Sequence, residues 1–280
     1  MCGLVGVIAG CREQCRVRDI DVLTDTFTRL LVLAERRGPH AIGVAWVKQD
    51  GAYRVEKRPL PARAFVQTDR YLHWLDGIDH RVTVLMGHTC WPTRGSARDD
   101  RNNHPLLVVT PMGDGTPGSG PQGRRRTRAS LLTHNGHLRE VEPYFQRWHL
   151  PRIAEADSEL LVQLAHRHLT PSGYAMTPLL QAMGELQGTM SAVLMTPNAP
   201  GEVHLLKGNM PLEVRYHPRR DVLAYASEAA ILDRALGDDP GWEPVPLPSG
   251  TLLTVQTDDL ARPRSPWGRC ADWPSTTEDP

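Results

Sequence analysis

Hydrophobic positions change period repeatedly along this chain, and the changes divide it into elements. Residues 2–9 are short, apolar and β-branched at Val5, Val7 and Ile8, the pattern of a buried strand. Over 21–36 the period becomes helical. Val22, Leu23, Phe27, Leu30, Leu31 and Ala34 recur on one face, and Asp19 or Asp21 can cap the start. Gly38-Pro39 stops that helix. Strands are predicted at 41–48, 53–58 and 82–88, with a helix over 62–75. Residues 105–110 and 129–134 predict a hairpin. The second half predicts helices at 158–168, 178–186 and 228–236, and strands at 189–195, 202–207, 212–216, 221–226 and 251–255. There is no internal repeat. Many strands with helices grouped at intervals predict an α+β arrangement of sheets covered by helices, not a regular β-α-β alternation.

Composition narrows the classes. A length of 280 residues allows one large domain or two small ones. Thirty-two basic and 32 acidic side chains cancel, which argues against a nucleic-acid binder. With 40% hydrophobic and 23% charged residues the chain reads as globular. No apolar run is long enough to span a membrane, and the apolar start lacks the basic flank of a signal peptide. The cysteines, Cys2, Cys11, Cys15, Cys90 and Cys270, are sparse and odd in number, which predicts reduced thiols and a cytoplasmic setting. Cys11 and Cys15 have no second ligand pair at zinc-like spacing, so no metal site is expected. Residues 111–128 are Gly/Pro-rich and end in Arg124, Arg125, Arg126 and Arg128. They read either as a solvated loop or as an anion clamp over a substrate. From 257 onward Pro263, Pro266, Pro274 and Pro280 predict an extended or disordered tail.

Candidate chemistry begins at Cys2. Removal of Met1, expected before so small a side chain, leaves a cysteine bearing both a thiol and an α-amine. An α-amine of pKa about 7.7–8.0 is partly neutral at physiological pH and can act as the base for its own thiol. The alternative is a small buried residue opening a strand. Three further motifs fall at element ends, where sites are usually assembled: Arg37-Gly38-Pro39, the run Thr133-His134-Asn135-Gly136, and Asp157-Ser158-Glu159. Asn135-Gly136 reads either as a hairpin turn or as an oxyanion hole built from a carboxamide N–H and a glycine N–H.

Taken in order, CGLVGVIA, RRGPHAIGVAW, GHTCWPTRGSARDDRNNHPL, THNGHL and DSELLVQL resemble the class II glutamine amidotransferases, which are N-terminal-nucleophile hydrolases. The pattern is similar to the glutaminase half of glucosamine-6-phosphate synthase. LQGTMSAVLM, LLKGNMPLEV, VLAYASEAAIL and LPSGTLLTV continue it, so the resemblance covers residues 2–256 as one domain. It implies a four-layer αββα sandwich of two antiparallel sheets and no cofactor. It implies that Cys2 attacks the glutamine side-chain amide, that Asn135 and Gly136 stabilise the oxyanion, and that a γ-glutamyl thioester is hydrolysed to glutamate. Arg37 matches an arginine that supports the nucleophile. Asp157 matches the carboxylate that grips the substrate α-amine, and Trp91 and Thr93 match the loop that wraps glutamine. His104 matches a histidine packed near that loop, or is an ordinary structural histidine.

One position departs from the pattern. The family loop reads His, Thr or Val, then an Arg that binds the substrate α-carboxylate, and here the third residue is Cys90. A thiol cannot replace a bidentate guanidinium–carboxylate pair, and losing one partner of a desolvated charge pair costs about 2–5 kcal/mol. Arg94 can supply the guanidinium, or the substrate is a conjugated γ-glutamyl amide without a free α-carboxylate, or the chain is a catalytically impaired regulatory subunit or scaffold. A domain that fills 2–256 leaves the ammonia acceptor to a separate protein, or the reaction stops at hydrolysis.

Overall fold

The computed structural model describes residues 2–10, 17–91, 94–111 and 127–261. Strand β1 (Gly3–Ala9) is followed by helix α1 (Val17–Ala34), and a 3-10 turn (Glu35–Arg37) extends that helix to Gly38. Strands β2 (Ala41–Lys48) and β3 (Tyr53–Arg58) pair antiparallel, as their patterns predict. The single helix expected over 62–75 is two, α2 (Ala62–Phe65) and α3 (Asp69–Leu75). Thr68 breaks it: its backbone is extended and its hydroxyl accepts the Tyr71 N–H at 3.3 Å as an N-cap. The apolar period runs across the break because Phe65, Tyr71 and Trp74 all bury against the same core.

Strands β4 (Val82–Cys90), β5 (Leu106–Pro111) and β6 (Thr127–Leu138) come next. They lead to α4 (Val141–Arg147), α5 (Glu159–Arg167), β7 (Leu169–Thr170), β8 (Gly173–Tyr174), α6 (Met176–Gly184) and β9 (Gly188–Met195). The chain continues through β10 (Glu202–Lys207), β11 (Glu213–His217), β12 (Val222–Ala226), α7 (Ala229–Leu236), β13 (Glu243–Val245) and β14 (Thr251–Gln256). Helix α4 and the short strands β7, β8 and β13 have no counterpart in the sequence reading.

Strand β6 corrects two expectations. It runs on through Asn135-Gly136, which pair with Ser191 and Met190 of β9, so the dipeptide is no hairpin turn. Arg128, assigned above to the low-complexity loop, lies in β6 opposite Thr110 and donates to the Leu169 carbonyl. Pro111 and Thr127 are the paired roots of that segment. Arg124, Arg125 and Arg126 lie outside the described residues.

A seven-stranded sheet has the order β13-β11-β12-β1-β4-β2-β3, and a five-stranded sheet the order β14-β10-β9-β6-β5. The pairings along both are antiparallel. Alternation sorts their side chains. Val5, Val7, Ile42 and Leu85 pack under α1, α2, α3 and α7, whereas Leu4, Ile8, Met86, Leu131, Val193 and Leu205 meet between the sheets. Leu132, Leu194 and Leu252 face outward under α4, α5 and α6. The result is the four-layer αββα sandwich, with an apolar core on each side of each sheet, worth about 1.5–3 kcal/mol per large buried side chain. Beyond β14, Thr257 and Leu260 are buried, and residues 262–280 lie outside the described residues. No helix among the described residues is long and apolar enough to cross a membrane.

Candidate active site

Cys2 stands at the head of β1, partly exposed. It shares the parity of Leu4 and Ile8, so its side chain points between the sheets. Its backbone is held by Arg37, a buried side chain on the 3-10 turn, whose Nε–H donates to the Cys2 carbonyl at 2.7 Å. The same guanidinium pairs with Glu228, just before α7, and Arg36 pairs with the other oxygen of that carboxylate. The Trp91 N–H donates to Cys2 Sγ at 3.3 Å, and the Trp91 carbonyl accepts from the thiol at 3.4 Å. Thr89 Oγ1 donates to the Ala34 carbonyl at 2.8 Å and pins the end of α1 against β4. A Cβ on Gly3 would lie 2.6 Å from Thr89 Oγ1, which explains the glycine after the cysteine.

The Cys2 thiol is held well below its ordinary pKa. The Cys90 thiol is the largest cause, burial opposes it, and the His88 ring and Trp91 N–H reinforce it. Cys90 is pushed up by the Cys2 thiol and by burial. The two therefore titrate as a pair.

The facing wall comes from β6 and the start of α5. Asn135 is buried with the parity of Leu131, so its carboxamide also points between the sheets, and neither its oxygen nor its nitrogen has a hydrogen-bond partner. Gly136 has φ +147°, and a Cβ there would lie 1.9 Å from the Thr189 carbonyl oxygen, so only glycine fits. Gly136, His134 and Asp157 line one cavity with Cys2, whereas Asn135 is not among its lining residues. The buried Asp157 carboxylate accepts the Leu138 N–H at 2.5 Å and the Ser158 N–H at 2.9 Å, with His137 Nδ1 at 3.2 Å. Two backbone donors fix its orientation and leave acceptor capacity for a ligand ammonium. Asn102 ties the loop after β4 to this segment. Its carboxamide oxygen accepts the Glu155 and Ala156 N–H groups at 2.7 and 3.2 Å, and its nitrogen donates to Ser96 at 3.2 Å.

Three buried histidines complete the site. His88 Nε2 lies 2.9 Å from the His134 carbonyl, an acceptor, so Nε2 carries the proton. The His104 ring packs on His88 at 4.3 Å, and both of its nitrogens lack partners. Burial holds His104 well below the ordinary imidazole value, and His88 and His134 add to it. Burial also lowers His134, against the pull of Asp157, and its Nδ1 meets Ser158 Oγ at 2.7 Å.

Of the other sequence candidates, Trp91 sets an exposed ring edge-on to His40 at 4.9 Å, and Thr93 lies outside the described residues. Arg94 lines the cavity, with its Nη2 paired to Glu142 at 2.6 Å. The cavity has about 20 Å³ of free volume, room for a water-sized molecule, so glutamine requires it to open. Larger clefts of about 480 and 810 Å³ flank β5, and neither includes Cys2. Among the described residues no group of three His, Cys, Asp or Glu side chains could hold a metal. Sequence reasoning missed His88, His134, Glu228 and the apposition of Cys90 to Cys2. For His88 and Cys90 a signal existed, since alternation along Gly-His-Thr-Cys puts both on one face; Glu228 had none.

No family model matches the chain. It is 26% identical over 219 residues to glutamine-fructose-6-phosphate aminotransferase (isomerizing) of Streptococcus mutans, across 76% of this chain and 30% of that protein. It is 25% identical over 244 residues to the Aquifex aeolicus protein of the same name, across 83% of this chain and 35% of that one. The chain thus spans about a third of the length of the curated relatives it matches. Glutamine phosphoribosylpyrophosphate amidotransferase from B. subtilis shares the fold, with a TM-score of 0.63 at 17% identity, over 91% of this chain and 47% of that one. The two-sheet αββα architecture is the fold expected from the resemblance to the N-terminal-nucleophile hydrolases. Fold and sequence similarity together are consistent with a domain of the class II glutamine amidotransferase type.

Proposed function

We propose that the chain hydrolyses the side-chain amide of glutamine with Cys2 as nucleophile, and that the ammonia passes to a separate acceptor protein in the cytoplasm. The observation that carries this reading is a thiol of depressed pKa, clamped by Arg37 and Trp91, on the same inter-sheet face as the unpartnered Asn135 carboxamide. Once Met1 is removed, the Cys2 α-amine takes the thiol proton and Sγ attacks the amide carbon. The Asn135 and Gly136 N–H groups receive the oxyanion as the carbonyl becomes tetrahedral. Collapse breaks the C–N bond, the α-amine's proton leaves with ammonia, and water cleaves the γ-glutamyl thioester to glutamate. Arg37 acts by holding the Cys2 backbone. Asp157 receives the substrate α-ammonium, Trp91 and Thr93 close over it, and Arg94 exchanges Glu142 for the α-carboxylate.

The test is glutamate and ammonia release from glutamine by wild type and Cys2→Ala, with labelling by diazo-oxo-norleucine. The reading requires activity lost with Cys2 and label at residue 2, and active protein with Met1 retained overturns the α-amine's role. A second reading draws on Cys90, a buried thiol at the position of the expected arginine, and on Arg94, the one guanidinium among the described lining residues and already ion-paired. Here the substrate is a γ-glutamyl amide whose α-carboxylate is blocked. Faster turnover of such an amide than of glutamine selects this reading, and a gain in glutamine kcat/KM in Cys90→Arg selects the first with an uncompensated carboxylate site. Absence of both hydrolysis and labelling identifies a regulatory subunit.

A further inference from the structure

Strands β1 and β4 run antiparallel with Gly3 opposite Thr89 and Leu4 opposite His88. One step further along that register sets Cys2 opposite Cys90, the last residue of β4. Directly opposed residues of an antiparallel pair have Cα atoms about 4.5–5.5 Å apart and side chains on one face, inside the roughly 4.4–6.8 Å range of disulfides. Both cysteines line the same cavity and both are free thiols. The two hydrogen bonds between Trp91 and Cys2 Sγ hold the strand ends together where the ladder would otherwise fray.

We propose that Cys2 and Cys90 form a site of reversible oxidation by a hydroperoxide, in which Cys90 is the resolving thiol and the product is a cross-strand disulfide that blocks the nucleophile. The blocking of activity rests on the proposed role of Cys2; formation of the bond does not. In the first step the Cys2 thiolate attacks one peroxide oxygen, the O–O bond breaks, and the departing hydroxide takes a proton to become water. Cys2 is then a sulfenic acid. In the second, Cys90 Sγ attacks the Cys2 sulfur, the S–S bond forms, the S–O bond breaks, and the Cys90 proton leaves with that oxygen as a second water. Two thiols are oxidised by two electrons and one peroxide is reduced.

The site suits this chemistry in three ways. A lowered thiol pKa at a partly exposed sulfur marks the attacking residue, and a raised one at a buried sulfur marks the resolving one. Cys2 is partly exposed, which opens its sulfur to a small peroxide while the closed cavity, with room for a water-sized molecule, excludes glutamine. The resolving sulfur is already opposite, so condensation competes with over-oxidation without backbone movement.

The experiment uses the full chain carrying Cys11→Ser, Cys15→Ser and Cys270→Ser, so that two thiols remain. After stoichiometric hydrogen peroxide and alkylation, the proposal expects loss of the mass of two hydrogen atoms. Peptide mapping without reductant should recover the Cys2 and Cys90 peptides as one species, and dithiothreitol should restore both thiols. In the further variant Cys90→Ser, given at least two equivalents of peroxide, Cys2 instead gains two oxygens as a sulfinic acid that dithiothreitol does not reverse. Cys2 reaching the sulfinic acid with Cys90 present, or both thiols surviving peroxide, overturns the proposal. Amide hydrolysis measured alongside should fall at least tenfold on oxidation and recover on reduction. If the bond forms but no preparation hydrolyses an amide, the redox site stands and the hydrolase reading fails.

Discussion

The two sheets contribute to the site in opposite ways. On the seven-stranded side the backbone around Cys2 is held, and His88 Nδ1 is left there without a partner. Arg37 grips the Cys2 carbonyl, Glu228 grips Arg37, and Ser227 bonds Leu4 through both its N–H and its Oγ. On the side of the five-stranded sheet, buried polar atoms stand without partners: both ends of the Asn135 carboxamide, Thr133 Oγ1 and His134 Nε2, with both His104 nitrogens nearby. Each such atom costs about 1–3 kcal/mol in a folded protein. A concentration of them beside a nucleophile is stability given up where substrate polarity would be met. One half fixes the attacking atom, and the other keeps donors and acceptors in reserve.

The sharpest way to break that division is to remove the attacking atom. Cys2→Ala should lower amide hydrolysis on the order of 10⁶-fold while leaving the melting temperature within a few degrees, since its anchors act on the backbone. Steady-state ammonia release with a thermal melt checks both halves. Asn135→Ala tests the reserve. Its carboxamide bonds nothing, so kcat should fall on the order of 10²–10³-fold with KM little changed. An equal loss of KM and folding stability would show Asn135 to be structural.

The five-stranded half should carry an acid sensitivity of its own, through a buried histidine. His204 on β10 is pushed down to about 4 by burial. A histidine whose folded value lies below its unfolded value of about 6.5 resists protonation. Its neutral form is undisturbed above pH about 6.5, and stability is lost as pH falls toward about 4, by about 3 kcal/mol if this shift acts alone. Urea unfolding across that window should show the slope in wild type and a shallower one in His204→Gln. The smallest effect falls on the anchored side. Glu228→Gln weakens the Arg36 and Arg37 pairs, and because Glu228 is a third exposed the loss should be about 1–2 kcal/mol, a melting shift of a few degrees. A shift as large as that of a fully buried pair would show the anchor to be drier than its exposure suggests.

The layers were largely legible because period-2 and period-3.6 patterns are local. Strands β2 and β3 have the bounds their patterns predict, and the 3-10 turn that extends α1 stops at its Gly-Pro. The break at Thr68 was not, because two short helices burying one face keep one period. Nor was the strand character of Asn135-Gly136. Locally the dipeptide favours a turn, and only pairing with β9, more than 50 residues away in sequence, holds it extended. The nucleophile, its arginine and the aspartate could be named from motif order. What Cys90 faces could not, since a cross-strand register is a property of two distant segments.

The register of β5 against β6 has a practical reading. Pro111 and Thr127 pair at one end of the β5–β6 ladder, whereas Gly136 lies toward the far end of β6. At about 3.3 Å per residue, the two ends of β6 relevant here are roughly 30 Å apart. The Pro111–Thr127 pair and the reacting site thus sit toward opposite poles of one strand. The first of those poles is the natural place to splice an epitope, a fluorophore or a tether, because whatever is grafted there is rooted a strand's length from the reacting sulfur.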